Sequence, residues 1–93
     1  MKSIFKYPLK VTDTQKISIP NSGEILSLQV QNNIPCIWVL IHDLNDKDKT
    51  TECVINMYGT GHTFEENGFC EFLGTFQLKE GLLVFHVFRE LDV

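Results

Sequence analysis

Between Glu24 and Gln31 the side chains alternate about an extended backbone, Leu26, Leu28 and Val30 pointing one way and Ile25, Ser27, Gln29 and Gln31 the other. A period of two places alternate residues on opposite faces of a strand, and no helix can satisfy it. The same period recurs along the chain, broken each time by turn residues. Ile4 to Val11 puts Phe5, Tyr7, Leu9 and Val11 opposite Lys6 and Lys10, with Pro8 marking an edge strand. A short strand is expected over Ile17 to Ile19, then a turn at Pro20-Asn21-Ser22-Gly23. Asn32-Asn33 turns the chain into Pro35 to His42. Further strands follow over Glu52 to Tyr58, over Phe69 to Leu78 with a bulge expected at Gly74, and over Leu82 to Leu91 after a tight Lys79-Glu80-Gly81 turn. Thr63 to Gly68 reads as a loop, and the polar Asp43 to Thr51 as an exposed, mobile one. No window of twelve residues carries a helical period. The expected fold is all-β or nearly so: one domain over residues 1–93, a small antiparallel sandwich or barrel-like sheet of six or seven strands.

Composition agrees. The chain has no alanine, the best helix former, and its apolar content lies in Ile, Val, Leu and Phe, which fit a pleated surface. Pro35 to His42 and Leu82 to Leu91 are apolar on both faces: Ile37, Val39 and Ile41 against Cys36, Trp38 and Leu40, and Leu83, Phe85 and Val87 against Leu82, Val84 and Phe88. A small domain has little interior to cover two such strands, so a homo-oligomer is expected.

Several function classes are disfavoured. A net charge of −4 without any basic run does not suit a protein that grips nucleic acid through its phosphates. No apolar stretch approaches a membrane span, and residues 1–9 have no secretory apolar core, so a cytoplasmic location is expected. Cys36, Cys53 and Cys70 suit neither a disulfide framework nor a zinc site, and His42, His62 and His86 lack metal-ligand spacing. No metal or cofactor is expected. No nucleophile elbow or metallohydrolase motif is present, which leaves binding ahead of catalysis.

The richest segment for binding is Tyr58-Gly59-Thr60-Gly61-His62, which joins an aromatic face, two permissive backbone positions, a hydroxyl and an imidazole. Backbone N–H groups around Gly59 and Gly61 can form a nest for phosphate or carboxylate, or the glycines can simply serve a turn. Gln29 and Gln31 share a face and offer the donors and acceptors that base edges and ribose hydroxyls require, and Thr75 and Gln77 form a similar pair. Trp38 offers a second stacking face and Arg89 a phosphate partner. His86, among Phe85, Val87 and Phe88, reads first as a packed core residue.

These landmarks, with Ile4-Phe5-Lys6-Tyr7, Pro35-Cys36-Ile37-Trp38, Gly74-Thr75-Phe76-Gln77 and Val84-Phe85-His86-Val87-Phe88, resemble a family of small tailed-phage proteins over nearly the whole chain. The stretch from Asp43 to Thr51 is the main departure. By analogy, the chain is similar in size and in its lack of catalytic motifs to phage sponges that sequester nucleotide immune signals, such as Sequestin, Lockin and other anti-Thoeris or anti-CBASS proteins. The resemblance implies a homo-oligomer in the host bacterial cytosol that binds a cyclic ADP-ribose-like or cyclic dinucleotide signal. The alternatives are a module that binds a host or virion protein, and a nucleotide-cleaving enzyme with His62 or His86 as acid or base.

Overall fold

In the computed structural model, which describes residues 1–65 and 68–91, seven strands form two antiparallel sheets packed face to face. They are β1 (Ser3–Pro8), β2 (Thr14–Pro20), β3 (Gly23–Gln31), β4 (Ile34–Ile41), β5 (Thr50–Gly59), β6 (Phe69–Leu78) and β7 (Leu83–Leu91). The three-stranded sheet runs β1-β4-β3 and the four-stranded sheet β2-β5-β7-β6. Glu66 and Asn67, in the loop expected between Thr63 and Gly68, lie outside the described residues.

The alternation places the core. Inward-facing Leu28, Ile37, Val39 and Ile41 of one sheet meet Ile19, Ile55, Met57, Phe76 and Val87 of the other. Ile37, Val39, Ile41, Ile55 and Val87 are fully buried. β4, apolar on both faces, is the central strand of its sheet, as its composition requires, and Pro8 ends β1 at the sheet edge. Two hairpins close where turn residues stand in sequence. Asn32 and Asn33 both adopt left-handed backbone, φ 53° and 64°, and Lys79, Glu80 and Gly81 do so at 52°, 56° and 88°.

Two bulges alter the expected faces. The β3–β4 register shifts between Ile25 and Ser27, so the extra residue, Leu26, is turned outward and 47% exposed while Ile25 packs on the core. Leu26 thus does not share the inward face of Leu28 and Val30. The second shift, between Phe72 and Gly74 of β6, lies against it across the sandwich. There a β-carbon on Gly74 would sit 3.2 Å from Leu28 Cδ2, and Gly74 holds φ 154°. Glycine lets β3 and β6 approach at this point.

Several strand boundaries differ from expectation, β1 and β2 most, and so does the segment after β4. β2 begins at Thr14 because Thr14, Gln15 and Lys16 pair with Asn56, Ile55 and Val54, and the Thr14 hydroxyl donates to Asn56 Oδ1 at 2.9 Å. β1 stops at Pro8: Leu9 is still buried, its N–H on the Pro35 carbonyl, but Val11 is 46% exposed. The segment from Asp43 to Thr51 is tethered rather than loose. Asp43 caps a 3-10 turn, Leu44–Asp46, by accepting from the Asn45 N–H. Leu44 packs against the core and donates its N–H to the Met1 carbonyl, and the Lys49 carbonyl accepts from Asn21.

Candidate functional site

The outward face of the four-stranded sheet carries the residues with most binding chemistry. Its cross-strand rows follow from the register: Tyr58, His86 and Thr75 in one, and Asn56, Phe88 and Phe72 in the next. Side chains opposite one another on antiparallel strands are near neighbours, so three aromatic rings and an imidazole converge. Phe88 lies 5.8 Å from Tyr58 and 5.2 Å from Phe72, centroid to centroid, in tilted geometry. Phe64, from the loop after β5, lies flat on Tyr58, with centroids 3.7 Å apart and ring planes within 9°. Phe64 and Phe72 remain 51% and 55% exposed.

His86 is held from both sides. Its Nε2 shares a 2.7 Å hydrogen bond with Thr60 Oγ1 and its Nδ1 a 2.9 Å bond with Thr75 Oγ1. A hydroxyl can donate or accept, so both ring nitrogens are satisfied in either tautomer. His86 is therefore a half-buried member of the outward face and not a core residue. Below it Asn56, 7% exposed, accepts from Thr14 and donates to Glu90 Oε2 at 2.9 Å.

The turn after β5 is shaped by both of its glycines, in different ways. The His62 N–H donates to the Gly59 carbonyl at 3.1 Å, and Gly61, at φ 85°, supplies the left-handed third position of the turn. Gly59 has no such φ, but the His62 ring lies on it, and a β-carbon there would stand 2.7 Å from Nδ1. The Thr60 N–H donates to the Val84 carbonyl at 3.3 Å. With Thr60 and His62 N–H groups both committed inside the protein, these two do not form an anion nest, and the glycines serve the turn, the other reading their spacing allowed. The site's polar groups are side chains instead. A groove of about 700 Å³ runs along Asp13, Thr14, Tyr58, Gly61, His62 and Phe64, and one of about 290 Å³ over Thr60, Phe72, His86 and Phe88 adjoins it.

The structure thus brings Tyr58, Gly59, Thr60, Gly61 and His62 together and adds Phe64, Phe72, Thr75, His86 and Phe88. Gln77 is on the same face, two residues beyond Thr75 and opposite Val84. Gln29, Gln31 and Trp38 are not part of this site. β3 and β4 belong to the other sheet, where Gln29 pairs with Cys36 and Ser27 with Trp38, and the outward faces of two packed sheets point in opposite directions. Gln31 there accepts from Lys6 Nζ at 2.7 Å. Arg89 is also elsewhere: it stands opposite Ile55, on the inward side of β7, and donates from Nε and a terminal nitrogen to Glu71 Oε2 at 3.2 and 2.9 Å. Beside it, burial pushes the Cys53 thiol above its ordinary pKa, which Arg89 opposes. Of the added residues, Phe72 and Phe88 carried a signal in the sequence, since both fall on the Tyr58 face once strands are paired. Phe64 carried none, because its position depends on the loop.

A family model described as a domain of unknown function (DUF7352) matches residues 1–92. No curated protein and no solved structure matches the chain.

Proposed function

The chain belongs to the DUF7352 family, and we propose that this member binds and sequesters a small nucleotide-derived signal on the outward face of its four-stranded sheet. The observation that carries the reading is the Phe64–Tyr58 stack, 3.7 Å between centroids with Phe64 half exposed. A base laid on the open side of Phe64 extends a stack already formed, and stacking of a base on an aromatic side chain is worth about 1–3 kcal/mol. His62 and Thr60 lie beside this stack in the adjoining grooves, where ribose or phosphate oxygens find donors. Groove volumes of this order suit a nucleotide-sized ligand. Together with the phage resemblance, this supports an anti-defence sponge acting in the host bacterial cytosol, homo-oligomeric and non-catalytic. No helix among the described residues is long and apolar enough to cross a membrane.

The test is incubation with cyclic ADP-ribose isomers and cyclic dinucleotides, removal of the protein with its bound ligand, and heating to release what it held. A sponge depletes the signal and returns it intact. Return of a cleaved product would make the protein an enzyme. Failure to deplete any of them would favour a protein-binding module that uses the exposed Phe64 and Phe72 rings.

A further inference from the structure

The two long sides of the sandwich are built differently. On one, β1 carries Lys6 and ends in Pro8, and β2 carries Lys16 and ends in Pro20. Lysine and proline on edge strands discourage pairing with another chain. On the other side, where β3 lies over β6, neither strand contains a lysine, an arginine or a proline. β6 is the longer of these two edges, ten residues reading Phe-Cys-Glu-Phe-Leu-Gly-Thr-Phe-Gln-Leu, and among the described residues no strand pairs with its far side. It also bears two large exposed rings, Phe69 at 64% and Phe72 at 55%.

We propose that β6 pairs antiparallel with β6 of a second copy about a two-fold axis near Phe72, joining the two four-stranded sheets into one of eight strands. A strand edge is self-complementary under such an axis, because each N–H and C=O it presents meets its counterpart. The axis stands perpendicular to the sheet, so both outward faces stay on one side. The Phe72 rings of the two copies then meet, and the row Phe88–Phe72 in each copy continues into the other. The aromatic site, open at Phe72 in one copy, is closed there by its mate. The bulge at Leu73 lies beside this axis, so the ladder is carried by the residues on either side of it. The pairing does not depend on the ligand assignment, and it is tested without ligand.

Sedimentation of the full chain should give twice the 10.7 kDa of one copy at micromolar concentration. The double variant Phe69→Lys/Phe72→Lys, folded by circular dichroism, should sediment as one copy, and Ile4→Lys, exposed on the other sheet, should remain paired. Hydrogen exchange of the parent supplies a readout free of substitutions: β6 amides should slow as concentration rises, and those of β1 should not. A parent that stays at 10.7 kDa, a folded double variant that still pairs, or β6 exchange indifferent to concentration would each overturn the proposal.

Discussion

The His62 imidazole fills the space that a β-carbon on Gly59 would need, its Nδ1 standing 2.7 Å from that position. Gly59→Ala therefore must displace the ring. His62 is exposed and the ring is the far end of a mobile side chain, so the fold should lose less than about 1 kcal/mol. Ligand affinity should fall with the displaced imidazole, by up to about the 1–3 kcal/mol of a lost hydrogen bond to a charged or buried group. Paired calorimetric titrations of Gly59→Ala and His62→Ala check this. Equal losses support displacement, and full affinity in both removes His62 from the site.

Thr75→Val should destabilise the protein by about 0.5–1.5 kcal/mol, the usual contribution of one hydrogen bond, and free His86 Nδ1 from its partner. Thr60→Val should do the same at Nε2. Nitrogen chemical shifts of the imidazole report the tautomer, and each substitution should change the balance between the two nitrogens. An unchanged ring spectrum in both variants would show that the threonines do not orient it.

Gly74→Ala meets two penalties at once, a backbone φ of 154° and a β-carbon 3.2 Å from Leu28. A loss of about 1–3 kcal/mol is expected. Leu28→Ala alone should cost about 2–5 kcal/mol by opening a cavity. In the double variant the contact is relieved and the backbone strain is not, so the combined loss should be smaller than the sum. Strict additivity in urea unfolding would rule out the contact as a cause.

Cys53 gives the stability a pH dependence of defined sign. Its thiol is raised by burial, with Glu71 adding to the rise and Arg89 opposing it. The native state then holds the proton more tightly than the unfolded chain, whose thiol titrates near ~8.5. Stability from this group is fully present below that value and is lost as pH climbs above it toward the native pKa. Melting temperatures of the parent and Cys53→Val should run parallel to about pH 8 and diverge above it, the parent falling faster. Parallel curves to pH 10 would contradict the shift.

The strands were legible because their cause is local. Alternation along Glu24 to Gln31, the doubly apolar β4 and the Asn32-Asn33 turn are properties of consecutive residues. The face assigned to Leu26 was not legible, because an inserted bulge residue reverses the alternation without changing composition. Nor could one sequence show that Gln29, Gln31 and Trp38 belong to a different sheet from Tyr58. That depends on strand order, which only long-range packing decides. The same limit hid His86: flanked by Phe85 and Val87 it looks like core, yet its parity with Tyr58 and Thr75 turns it outward. Arg89, its neighbour but two along the chain's far end, is turned inward in the company of Glu71.

β7, the last strand among the described residues, is an interior strand of its sheet: it sits between β5 and β6, and β5 reaches β6 only through it. During synthesis the four-stranded sheet therefore cannot close progressively from its first strand. β5 can pair with β2 early, but β6 must wait unpartnered until β7 leaves the ribosome and slots between them. The pairing of β7 with β5, distant in sequence, forms slowly, whereas its hairpin with β6 is local. A chain stalled before Leu83 would present two bare strand edges and the Phe69 and Phe72 rings together, a surface suited to chaperones or to aggregation. Emergence of β7 is thus the event that creates the aromatic face.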